Sequence, residues 1–127
     1  MILNDIPFIE VVFENPFMEK RYPQEGSILA VLDTSYEGFA LVPENIFREL
    51  GLDEFSLLNR ELILPNGFNV QSRGVYGKVE LTELGIAREG FIETAEGIDE
   101  VVLGVNFVKG LRIVLDYCIN RLDVEVC

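Results

Sequence analysis

Few side chains in this sequence can do chemistry. The 127 residues include no histidine, 22 Asp and Glu against 10 Lys and Arg, and two cysteines. Without histidine the commonest general base and the commonest metal ligand are absent. Ser-His-Asp and Cys-His triads, zincin sites and most zinc sites are excluded together. Cys118 and Cys127 form no C-x-x-C pair and are expected to be thiols in a reducing compartment. Acid–base chemistry is therefore left to carboxylates, and one carboxylate stands apart by its setting. In Ala30-Val31-Leu32-Asp33-Thr34-Ser35 an apolar run delivers Asp33 straight into a turn. A carboxylate at the end of a buried strand loses hydration unless it is hydrogen-bonded or shares a proton. Two readings follow. Asp33 opens an Asx-turn, accepting a nearby backbone N–H, or it is a working acid.

Other chemistries find no support. Gly77-Lys78 is followed by Val79, and no earlier glycine has P-loop spacing. A Rossmann glycine triplet, a nucleophile elbow and an EF-hand loop are all missing. The acidic pairs Asp53-Glu54 and Asp99-Glu100 could hold a hard cation, but such pairs are more often solvated turn residues, so neither a metal nor a cofactor is expected. A net charge of -12 repels phosphate backbones and anionic headgroups, which argues against nucleic-acid and membrane partners. The opening Met1-Ile2-Leu3-Asn4-Asp5 lacks the basic start and apolar core of a signal peptide. No apolar run approaches the ~18 residues that span a bilayer. A cytoplasmic location is the resulting expectation.

The elements that must position Asp33 are mostly strands. Hydrophobic residues make up 49% of the chain and charged residues 25%, which suits one globular domain over residues 1–127. Residues 8–13 read as a strand broken by Asn15-Pro16. Residues 27–32 form a second strand, apolar enough for burial on both faces, and residues 39–42 a third. Residues 43–51 read as a short helix, with Pro43 in the first turn, Glu44 at the positive end, Gly51 at the stop, and Ile46, Phe47 and Leu50 on one face. Residues 62–64 and 68–72 flank a turn at Pro65-Asn66-Gly67, and an Asn-Gly pair between apolar runs is a strong hairpin signal. Further strands are expected at 74–81, 90–94, 111–116 and 122–126, with an apolar run 101–103 ending at Gly104 and a helical turn at 106–109. Many short strands with close turns make an all-β barrel or sandwich.

Asp33-Thr34-Ser35 resembles the Asp-Thr-Gly triplet of retropepsin-like aspartic proteases, and it follows the two apolar residues that family shows. Val102-Leu103-Gly104-Val105-Asn106-Phe107-Val108 is similar to the family's second-half pattern of an apolar pair, a glycine and a short helix. Residues 111–117 and 120–124 resemble the closing hairpin of its small prokaryotic and archaeal members. The resemblance runs from about Ser27 to Val126. It implies a small closed β-barrel with one or two short helices, built on an internal two-fold repeat. It also implies a catalytic triplet Asp33, Thr34 and Ser35, a substrate-covering flap whose tip lies near Asn66, Gly67 and Phe68, and a loop at Leu103 and Gly104 that braces the strand carrying Asp33. Ser35 departs from the family, which has glycine there.

One triplet per chain has a consequence. An aspartic protease needs two carboxylates sharing a proton, so a single Asp33 implies a symmetric homodimer with Asp33 from each subunit on the two-fold axis. Met1 to Leu3 and Leu122 to Val126 would supply interface strands by the same resemblance. The activity implied is an aspartic endopeptidase acting on a peptide or unfolded protein held as an added strand. A catalytically inactive dimeric peptide-binding or assembly module of the same fold is the alternative. An unrelated acidic β-barrel that binds a small ligand, with Asp33 bonded only locally, is the third reading.

Overall fold

The computed structural model describes residues 1–63 and 67–127. Its framework is eleven strands, two short α-helices and one 3-10 turn. The longest strands are β2 (Ile6–Asn15), β7 (Asn69–Leu81) and β8 (Ile86–Thr94). Shorter ones, β4 (Ile28–Leu32), β5 (Ala40–Leu41) and β9 (Val102–Leu103), complete a ring with them. Around it β2 pairs β4, β4 pairs β9, β9 pairs β5, β5 pairs β8, β8 pairs β7, and β7 returns to β2. The all-β expectation holds, with a closed ring of hydrogen-bonded strands and two short helices. Closing the sheet removes the edges that its long strands would otherwise leave unpaired.

Burial follows from the closure. Val11, Val12 and Phe13 are consecutive in β2 and all buried, because the strand is covered on both faces where it pairs β4 and β7. In β4 the expectation of two buried faces fails at Leu29. Ala30 and Leu32 point into the core while Leu29 is exposed, so this strand keeps the two-residue alternation of a sheet with one covered face.

The helix read from residues 43–51 is α1 (Glu44–Glu49). Pro43 stands at its N-cap rather than within its first turn, and Gly51 follows with a left-handed φ of +70°. Ile46, Phe47 and Leu50 are buried together as their spacing requires. Asn15, at the end of β2 and buried, donates from Nδ2 to the Leu50 carbonyl at 2.7 Å. That bond satisfies a carbonyl at the helix end and fixes α1 against the ring.

The hairpin differs from its expected form in two respects, and the first is that its leading strand begins at Leu58 rather than Leu62. The second is that residues 68–72 and 74–81 are not two strands: β7 runs unbroken from Asn69 to Leu81, and among the described residues its partner β6 (Leu58–Ile63) pairs only with it. A second helix, α2 (Val105–Val108), starts one residue earlier than the sequence suggests. Its Phe107 meets Phe39 edge to face at 5.3 Å in the core. The terminal hairpin, β10 (Leu111–Asp116) and β11 (Arg121–Val126), forms a separate two-stranded sheet. Cys118 and Cys127 are exposed free thiols. Among the described residues no helix is long and apolar enough to cross a membrane.

Phe107→Ala should lower the unfolding free energy by about 3–5 kcal/mol, the usual cost of emptying a closed aromatic site, as measured by chemical denaturation.

Candidate active site

Asp33 follows β4 directly, and the chain around it is held by main-chain bonds. The Asp33 N–H donates to the Leu103 carbonyl at 3.0 Å, and the Val31 N–H donates to Val101 at 2.9 Å. Strand β9 thus continues past Leu32 and pins the residue after it. The turn is fixed from the same side: Val105 and Asn106 donate their N–H groups to the Tyr36 and Gly38 carbonyls, at 2.9 and 3.1 Å. Gly104 lies so close to this turn that a Cβ there would overlap both carbonyls. Leu103, fully buried, and Gly104 thus lie against the turn that follows β4 and hold its main chain.

The Asp33 side chain makes the Asx-turn that its position suggested. Oδ1 accepts the Ser35 N–H at 2.9 Å and the Ser35 hydroxyl at 2.5 Å. Ser35 is not among the residues with positive φ, so a side chain costs no backbone strain where the family has glycine. Thr34 is exposed and Asp33 half-buried.

Asp33 and Ser35 line a cleft of about 730 Å³. One wall is the turn they belong to, with Tyr36 and Glu37. A second is residues 60–63 of β6, and a third is residues 97–100, with Leu41 and Val102 at the floor. Among the described residues β6 has a partner on one side only, so this wall is a strand edge with backbone groups available to a ligand. Asn66 lies outside the described residues. Gly67 takes a left-handed φ of +85°, as a tight turn requires, and Phe68 is exposed. Neither Gly67 nor Phe68 lines the cleft; the same hairpin reaches it through residues 60–63.

Behind the cleft is a cluster that the sequence reading missed. Glu93, on β8, is fully buried. Its Oε1 accepts Arg60 Nε at 2.8 Å and Ser72 Oγ at 2.6 Å. Its Oε2 accepts Arg60 Nη2 at 2.8 Å and the Tyr36 hydroxyl. Four donors meet the roughly four lone-pair sites of a carboxylate, and the paired guanidinium supplies the opposite charge that a buried ion requires. Arg60 also lies over the Tyr36 ring, 6.0 Å from its centroid. Burial, then the hydrogen bond to Glu93 and its charge, push the Tyr36 hydroxyl well above the ordinary tyrosine range. The hydrogen bond to Glu93 likewise raises Arg60 above its already high value. Among the described residues no group of three or more Cys, Asp or Glu side chains is arranged to hold a metal ion.

Three comparisons bear on this geometry. The chain matches no family model. An uncharacterized protein of Archaeoglobus fulgidus is 46% identical over 127 residues, covering 100% of this chain and 99% of that one. Two solved structures share the fold. A retropepsin-like aspartic protease from Rickettsia conorii matches with a TM-score of 0.60 at 17% identity, over 98% of this chain and 93% of that one. EIAV protease, in complex with the inhibitor HBY-793, matches with a TM-score of 0.58 at 14% identity, over 84% and 88%. The ring of strands with its two short helices is thus a retropepsin-like fold.

Two outcomes are expected. Gly104→Ala should destabilise the protein by about 1–3 kcal/mol, the range for forced overpacking, read by thermal or urea unfolding. The raised Tyr36 hydroxyl gives a signed pH dependence. Its contribution is complete below about pH 10, the unfolded tyrosine value, and is lost as pH rises from there toward the folded value. Tyr36→Phe should therefore lower stability at pH 7 by about 1.5–3 kcal/mol, a hydrogen bond to a charged group. It should also flatten the alkaline limb of a stability-versus-pH curve.

Proposed function

Since the chain belongs to one family with the Archaeoglobus fulgidus protein and has the fold of the retropepsins, we propose that it is a homodimeric aspartic peptidase. The observation that carries this reading is the setting of Asp33. Asp33, half-buried, stands at a strand end with its backbone N–H held by the Leu103 carbonyl and lines a cleft one wall of which is the strand edge β6. An extended peptide can pair with such an edge, gaining main-chain hydrogen bonds while its alternate side chains enter the cleft.

The chemistry requires two copies. One Asp33 supplies one carboxyl group; its mate comes from the second subunit across a two-fold axis. In the pair, the ionised carboxylate takes a proton from water while the protonated one hydrogen-bonds the scissile carbonyl. Water's oxygen bonds to the carbonyl carbon, and collapse of the tetrahedral adduct breaks the C–N bond as the nitrogen gains a proton. In this reading Thr34, exposed beside Asp33, bonds across the axis and fixes the two turns. The hairpin bearing Asn66, Gly67 and Phe68 covers the bound peptide, and Leu103 with Gly104 supports the turn from behind. Neither a cofactor nor a metal is required by this chemistry, and the substrate is a peptide or unfolded protein rather than nucleic acid.

A second reading has its own observation. The Ser35 hydroxyl occupies Asp33 Oδ1, an oxygen that a catalytic water would also address. A dimer of the same fold that binds peptides without cleaving them would keep the groove and lose the reaction.

Unfolded protein incubated at mildly acidic pH should be cleaved, with inhibition by a statine-type mimic of the tetrahedral intermediate. Asp33→Asn should reduce cleavage at least about a hundredfold, with fold and sedimentation unchanged. Peptide binding without cleavage by the native protein would favour the second reading, and cleavage that survives Asp33→Asn would refute both assignments of Asp33.

A further inference from the structure

The fully buried Glu93 accepts side-chain hydrogen bonds from three parts of the chain around the cleft. Tyr36 belongs to the Asp33 turn, Arg60 to the edge strand β6, and Ser72 to β7. Each Glu93 oxygen is shared: Oε1 by Arg60 and Ser72, Oε2 by Arg60 and Tyr36. The carboxylate itself is fixed by strand pairing, since Glu93 lies opposite Gly74 on β7 and Leu41 on β5. Its own carbonyl accepts the Val42 N–H at 2.9 Å. Gly74 is required there, because a Cβ would come within 2.9 Å of the Glu93 Cβ and 2.5 Å of the Ile92 carbonyl. The result is a rigid spacer between the turn holding Asp33 and the strand edge along the cleft.

We propose that Glu93, through Arg60 and Tyr36, is a positioning residue that sets the register between a bound peptide and Asp33. Its effect on cleavage rests on the peptidase reading. A peptide paired to β6 takes its register from that strand, and β6 takes its position relative to Asp33 from the Arg60–Glu93–Tyr36 strut. Without the strut the edge strand can shift against the turn. Because side chains alternate along a strand, a slip of one residue would turn every side chain to the wrong face, and a slip of two restores the pattern. A loosened strut therefore produces cleavage at a second bond two residues away from the main one.

Two mild variants test this. Tyr36→Phe removes one hydroxyl and keeps the ring; Arg60→Lys keeps the charge and loses the fork that meets both Glu93 oxygens. A defined peptide is digested with each, and its products are read by mass spectrometry. Backbone amide exchange is measured in parallel on the undigested proteins. Each variant should yield new products offset by two residues and a KM raised about five- to tenfold, as for one hydrogen bond of positioning. Amides of β6 and of residues 33–36 should gain more in exchange rate than those of β2 and β4, which follow only the change in global stability. Unchanged exchange in both variants, or loosening spread evenly over the ring, overturns the strut whatever the peptide shows. Unchanged products alongside faster β6 exchange overturn its role in register. If the native protein cleaves nothing while β6 and the turn loosen together, the peptidase reading fails and the strut stands without a catalytic consequence.

Discussion

Two residues close the ring. Val102 and Leu103 pair with β4 in parallel on one side and with β5 in antiparallel on the other. A two-residue strand has almost no stability of its own; this one exists because both its edges are occupied and its Leu103 side chain is fully buried in the core. What depends on it is the position of Asp33. The same segment that supplies the carbonyl for the Asp33 N–H also supplies the N–H groups for the Tyr36 and Gly38 carbonyls. The turn is consequently held at its start, middle and end by one short run of chain. Gly104 is the point of closest approach, and the absence of a side chain there is what allows the approach.

Behind that turn the structure buries the carboxylate of an ion pair whose arginine stays partly exposed, which is an expensive choice. Taking a carboxylate out of water costs several kcal/mol, and attraction to a partly solvated guanidinium rarely returns much more. Hydrophobic residues of similar size would serve stability as well. The Glu93 cluster is better understood through geometry: a fork and a hydroxyl reaching one carboxylate admit a single arrangement of β6 and the Asp33 turn, whereas apolar side chains would admit many. Arg60 presents its other side to the cleft and is about one-third exposed, so the pair is anchored in the core and ends at the site.

How much of this was legible depends on whether the signal was local. The Asp33 turn could be read because an apolar run, an acid and two small hydroxyl residues are consecutive. Helix α1 could be read because proline, glycine and three spaced apolar residues mark it within nine positions. The β6–β7 hairpin was legible from its Asn-Gly pair, but its second strand was not. The sequence breaks at Arg73 between residues 68–72 and 74–81, and the strand continues through it because its neighbour Ser72 is buried against Glu93, where its hydroxyl has a partner. Glu93 shows the same limit more sharply. An acid between Ile92 and Thr94 reads as the wet face of a strand. Only the ring, which covers β8 on both faces, brings it to an arginine 33 residues earlier in the chain. Long-range ion pairs leave no periodicity in a single sequence, so the buried cluster behind the cleft was the part that stayed hidden.

The proposed pairing of two Asp33 residues must also overcome the protein's own charge. Each chain carries -12, and two such bodies repel before they touch. Screening confines that repulsion to about 8 Å at physiological salt, so what matters is the local character of the surfaces that meet. Those surfaces have the right character at the chain ends. Leu3 and Ile6 near the N-terminus, and Ile119 and Val126 at the terminal hairpin, are exposed apolar side chains. Leu122 on the same hairpin is buried against the core and anchors it. The hairpin β10–β11 is also a sheet of two strands, which is marginal alone. Additional strands from a symmetry mate would complete it and cover those side chains. The charges of this hairpin are of both signs, Arg112 beside Glu125 and Arg121 beside Asp123, so a mate would meet less repulsion here than over the acidic remainder of the surface.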